Sequence, residues 1–146
     1  MRKENKNVFL GGTCNDSTWR ERLIKKLKVP FFNPVVKDWD EEARKREIEQ
    51  RETATFVLYV ITPLMKGVYS IAEVVDDSNK RPDKTLFCIL EKDDKKEFDK
   101  SELKSLNQVK KMVKNNGAKT FNDLDEIAEF LNNQRDNEKM KTLAGI

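Results

Sequence analysis

The chain has 146 residues, the size of one domain and enough to bury a core without disulfide or metal staples. Its 29 lysines and arginines nearly balance 26 aspartates and glutamates, and the two signs are mixed along the chain rather than gathered in one stripe, which argues against a nucleic-acid surface. Histidine is absent, which removes the usual general base of hydrolase triads and the commonest zinc ligand, so chemistry must run on carboxylates, hydroxyls, a thiol or backbone amides.

No run approaches the roughly 18 to 20 apolar residues of a bilayer span, and the charged residues 1–7 lack the apolar region of a signal peptide. The expectation is a cytoplasmic protein without membrane contact, with Cys14 and Cys88 as free thiols. No cofactor is expected, and among metals only magnesium held by carboxylates stays open.

In chain order, Val8-Phe9-Leu10, closed by Gly11-Gly12, predicts a short buried strand, and Trp19, Leu23, Ile24 and Leu27 mark one face of the helix after it. Residues 29–33 predict a second short strand ending at Pro34, while residues 40–52 read as a helix so poor in apolar side chains that it should lie largely exposed. Residues 55–61 are the most apolar segment, rich in β-branched and aromatic side chains as a central strand buried on both faces requires. A helix starts over residues 70–76, with Ser70 and Glu73 at capping-box spacing, and residues 85–90 form a fourth strand. Leu103, Leu106, Val109, Met112 and Val113 mark a fourth amphipathic helix, which Asn115-Asn116-Gly117 stops. Residues 118–121 suit a fifth, edge strand, and Leu124, Ile127, Ala128 and Leu131 line the inner face of a last helix.

Strand and helix thus alternate about five times, which predicts an α/β, flavodoxin-like or Rossmann-like three-layer sandwich of parallel strands in the order 2-1-3-4-5. One domain is expected over residues 1–135, followed by a polar, loose tail over 136–146. Ligands of such sheets bind beyond the carboxyl ends of the strands, where the order switches, which singles out the loops at 11–18, 33–40 and 62–70.

The first of these loops has glycines that admit a ligand to the backbone and a helix start that offers free amides, although Thr18 and Glu21 also have the spacing of a capping box. It contains Cys14 and Arg20 in the C-x5-R spacing of cysteine-dependent phosphatases, but without a glycine after Cys14 and with Asp16 where a phosphate dianion would sit. The second carries Asn33, a donor and acceptor, and Trp39, a flat apolar face, before Asp40; either is equally suited to turn and anchor duty. In the third, Glu73 lies one turn into a helix whose amino end faces the crevice. The helix dipole there favours an ionised carboxylate, hence a nucleophile.

The runs VFLGGTCNDSTWRERL, FFNPVVKDW and LYVITPLMKGVYSIAEVVDDSNK, taken in this order and spacing, resemble the nucleoside 2-deoxyribosyltransferase-like family over roughly residues 7–90. The resemblance implies that Glu73 attacks the anomeric carbon of a nucleoside sugar, that the pocket is built from Gly11, Gly12, Thr13, Asn15, Ser17 and Trp19 with Asn33 and Trp39 at its rim, and that the chain is a homo-oligomer. Tyr69 and Ser70 border the pocket, and the amides and hydroxyl there suit a 5′-phosphate. Two departures from the family pattern stand out. No Asp or Glu lies between Thr62 and Glu73, where the transferases keep acids that handle the departing base, and Phe9 or Leu10 stands where they keep a tyrosine that orients the glutamate.

The expected function is therefore N-glycosidic chemistry on a nucleoside or nucleotide, transfer or hydrolysis, through a covalent glycosyl-enzyme on Glu73 with Asp16 or Asp40 as proton donor. The alternatives are a non-catalytic nucleotide- or sugar-binding module and a phosphatase using Cys14 and Arg20.

Overall fold

The computed structural model describes residues 4–14 and 16–143, with side chains as far as Asn137. Its elements are β1 (Val8–Gly12), α1 (Trp19–Ile24), β2 (Phe31–Phe32), α2 (Glu41–Thr53), β3 (Phe56–Ile61), α3 (Tyr69–Lys80), β4 (Thr85–Ile89), a hairpin of β5 (Lys92–Asp93) and β6 (Lys96–Glu97), α4 (Lys100–Asn116), β7 (Lys119–Phe121) and α5 (Leu124–Leu143). Five strands form one parallel sheet in the order β2-β1-β3-β4-β7, which is the flavodoxin-like arrangement expected from the alternation of strand and helix.

The central strand explains why its apolar run is unbroken. Leu58 and Val60 point to one face, where they meet Trp19 and Leu23 of α1 and Ile127 and Leu131 of α5; Val57, Tyr59 and Ile61 point to the other, against Val74 of α3 and Leu106 and Val113 of α4. With a helical layer on each side, both sets of alternating side chains leave water. Helix α2 contributes little to either cluster, burying only Ala43 and Thr53, and is tied down by polar contacts such as those of Asn5 and Asn7 to Gln50 Oε1, 3.2 Å each.

Several local features differ from the reading of the sequence. Helix α3 begins at Tyr69 with Val68 as N-cap and no side-chain cap, so Ser70 lies inside the first turn and the Ser70–Glu73 capping box does not form. Thr18 does N-cap α1, again without a side-chain hydrogen bond. The capping box that does form is Asp99 with Glu102 on α4. Met112 is exposed although its helical spacing places it with the core residues of α4. Finally, α5 continues to Leu143, past residue 136, where the polar sequence predicts loose chain.

Candidate active site

The site lies where β1 and β3 end side by side. Gly12 pairs with Val60 in the sheet register and has φ +119°, and a Cβ placed on it would stand 2.1 Å from the Val60 carbonyl oxygen. Only glycine lets the chain turn across its neighbour so closely. The Thr13 amide then donates to that same carbonyl at 2.8 Å, while Thr13 Oγ1 accepts from the Thr62 amide at 2.9 Å, so the first and third loops are locked together at their roots.

Beneath this turn sit the two largest side chains of α1. Trp19 is fully buried and its indole N–H donates to the Thr13 carbonyl at 2.7 Å. Arg20, also buried, donates to the carbonyls of Leu10 at 2.9 Å, Thr13 at 2.7 Å and Gly12 at 3.3 Å. Burial pulls its pKa down, an effect opposed by Cys14 and by the charges of Glu21 and Glu47. Both residues therefore brace the loop from below. Ser17 donates to Asp93 Oδ2 at 2.5 Å, and Arg22 reaches Asp93 Oδ1 at 3.1 Å, which fastens the far end of the loop to the β5–β6 hairpin. Asp16 and Cys14 are exposed on its outer side, and Asn15 lies outside the described residues.

In the second loop, Asn33 Oδ1 accepts from the Val35 amide at 3.0 Å, and Asp40 Oδ1 accepts from the Ala43 amide at 2.8 Å as N-cap of α2. Trp39 is 57% exposed, and Tyr69, at the start of α3, is 72% exposed. A Cβ added to Gly67 would meet nothing within 4 Å, so the third loop is open to space at that position.

Glu73, from the second turn of α3, is 8% exposed and faces α2, where Arg51 Nη1 stands 3.7 Å from its Oε2. Arg51 Nε donates to Asp77 Oδ2 at 3.0 Å, and its Nη2 donates to Asp76 Oδ2 at 3.0 Å and to the Glu73 carbonyl at 3.4 Å. Asp77, fully buried, also accepts from the Tyr59 hydroxyl at 2.6 Å, and its Oδ1 meets Arg81 Nη1 at 3.4 Å without a hydrogen bond. Burial pushes the Tyr59 phenol well above its ordinary pKa, with the Asp77 charge acting in the same direction, so it remains a donor.

Burial also pushes the Glu73 carboxyl up to about 7; Arg51 opposes this, while Glu47, Asp77 and Asp76 add to it. Glu47 of α2 is likewise raised by burial, against the pull of Arg51 and Arg20. Glu47 with Arg51, and Glu73 with Asp77, are i, i+4 pairs, each on one face of its helix, and the two faces meet at the crevice. That spacing was the available signal for Glu47, Arg51 and Asp77, none of which the motifs singled out. Tyr59 gave no such signal, because an aromatic residue in a central strand reads as core.

Among the described residues no group of three or more Cys, Asp or Glu is placed to hold a metal ion, and no helix is long and apolar enough to cross a membrane. No curated protein and no solved structure matches the chain. A family model described as nucleoside 2-deoxyribosyltransferase like matches residues 5–92, a stretch that holds β1 through β4 and every site residue just described except Asp93, and the chain belongs to that family.

Proposed function

We propose that the protein breaks the N-glycosidic bond of a nucleoside or nucleotide by attack of the Glu73 carboxylate on C1′. The bond from C1′ to the base nitrogen breaks as the bond from Glu73 to C1′ forms, and the base leaves with a proton from an acid. A second base, or water, then attacks C1′ and frees the glutamate. Dividing one difficult displacement into two is the benefit of covalent catalysis. The observation that carries this reading is the environment of Glu73: a nearly buried carboxyl at the crevice of a family member, beside a fixed guanidinium and poised near neutrality.

For the proton, Glu47 is the donor we favour over Asp16 and Asp40. Burial raises the pKa of its carboxyl, and it is close enough for its charge to act on Glu73, whereas Asp40 is engaged in capping α2 and Asp16 is exposed. Glu47 comes from α2, so it answers the lack of acids between Thr62 and Glu73 from a different element. Gly11, Gly12, Asn33 and Trp39 on one side, and Tyr69 and Ser70 on the other, are the proposed substrate contacts, with Trp39 and Tyr69 offering flat faces to a base. Thr13, Ser17 and Trp19 act in this reading by shaping the loop, since their polar atoms are already engaged. A neighbouring copy of the chain, as proposed from the family resemblance, completes the rim.

The phosphatase reading is disfavoured because Arg20 is buried with its N–H groups given to three carbonyls of its own loop. The test is release of free base from nucleosides, deoxynucleosides and their 5′-monophosphates. Base release lost in Glu73→Gln, reduced by at least ~10² in Glu47→Gln and unchanged in Cys14→Ser is the expected pattern. Full activity in Glu73→Gln removes the proposal, and tight binding without turnover by the wild type replaces it with a binding module.

A further inference from the structure

We propose that Arg51 is a positioning residue: pinned by Asp76 and Asp77, it stands beside Glu73 close enough to favour the carboxylate and too far away to occupy its attacking oxygen. This rests on Glu73 being the nucleophile. The geometry carries the argument. Arg51 Nε is given to Asp77 and Nη2 to Asp76 and the Glu73 carbonyl, which leaves Nη1 facing Glu73 Oε2 at 3.7 Å, an ion-pair distance longer than a hydrogen bond. A guanidinium free to swing would close onto the carboxylate through two parallel hydrogen bonds and engage the lone pairs needed for attack. Here Asp76 and Asp77 hold it back.

A simple clasp between α2 and α3 does not require this arrangement. One half-exposed pair, such as Arg51 with Asp76, would serve. Instead the fully buried Asp77 is flanked by Arg51 and Arg81 and receives the Tyr59 hydroxyl from β3, an expensive construction that fixes the guanidinium plane. The groups that act on Glu73 are thus Glu47 and Arg51 from α2, Asp76 and Asp77 from its own helix, and Tyr59, through Asp77, from β3. Arg51 is the lone cation among them. Without it, burial and three neighbouring acids all favour the neutral carboxyl, which cannot attack C1′.

The test follows the Glu73 side-chain carboxyl directly by NMR titration of protein labelled with ¹³C at glutamate Cδ, with Glu73→Gln assigning the signal, alongside the pH profile of base release. In Arg51→Gln the midpoint is expected to rise by about one pH unit or more, with most of the shift recovered in Arg51→Lys, which restores the charge. The acid limb of kcat should move with it while KM stays within about twofold. Should Arg51→Gln not fold, Asp76→Asn applies the same test in the opposite sense: with one tether cut and one acid gone, the midpoint falls, and kcat falls at alkaline pH, where wild-type Glu73 is fully ionised. A Glu73 midpoint that stays within about 0.3 of the wild-type value in every folded variant overturns the proposal. Because the titration needs no substrate, an inactive wild type with a normal Arg51-dependent shift would discard the glycosyl-transfer reading and leave the coupling established.

Discussion

Glu73 leaves water when the chain folds, and its carboxyl rises from the ordinary 4.5 to about 7. The folded state then holds this proton more tightly than the unfolded one, so stability falls as pH rises from about 4.5 to about 7 and the full penalty applies above that range. Replacing Glu73 by glutamine removes the titration. The variant should match the wild type in urea unfolding at about pH 4 and exceed it at about pH 8, by on the order of 3 kcal/mol as a ceiling. A variant less stable than the wild type at the higher pH would mean that Glu73 is held for structure, as an ion-pair partner of Arg51. Kinetics should carry the opposite sign: base release by the wild type rises with pH as the nucleophile ionises, then falls as the acid that serves the leaving base loses its proton.

At the scale of elements, the strand-to-helix turn at Gly12 is where backbone geometry decides whether a crevice exists. The substitution Gly12→Ala combines φ +119° with a 2.1 Å approach to a backbone carbonyl that cannot move without breaking the sheet, and should cost several kcal/mol, about 3 or more, or prevent folding. Gly67→Ala is the control, since nothing lies within 4 Å there, and its thermal unfolding should differ from wild type by less than ~1 kcal/mol. A tolerated Gly12→Ala would show that the turn can be made another way. The same contrast explains what was legible in the sequence. Periodicity reports burial, so the sheet order and most of the inner faces of α1, α4 and α5 were readable from residues such as Leu23, Leu106, Val113 and Ile127. Spacing does not report which hydrogen bonds are made. Thus Ser70 and Glu73 look like a capping box, yet the N-cap is Val68, two residues earlier, and Glu73 turns to Arg51. The β5–β6 hairpin, two residues per strand, has no periodic signal at all, although its Asp93 anchors the first loop.

At the scale of the whole molecule, the large apolar side chains that the described residues expose are unevenly spread. Apart from Met112, they are Phe31, Val35, Val36, Trp39, Ile48, Val68 and Tyr69, drawn from the β2 edge, the loop after it, α2, and the N-cap and first residue of α3. Exposed apolar side chains that join into one patch mark a surface for another chain. Edge-to-edge sheet extension is a poor explanation for it, because β2 offers only two residues of unpaired ladder. Side-chain packing between copies accounts for it better, and we expect the protein to sediment as a homo-oligomer at micromolar concentration. Val68→Asp and Tyr69→Lys, at positions 67% and 72% exposed, should then dissociate it without unfolding it, and base release should fall as the monomer appears. A wild-type monomer would assign these side chains to the substrate instead, in which case the same two variants would raise KM while the sedimentation coefficient stayed put.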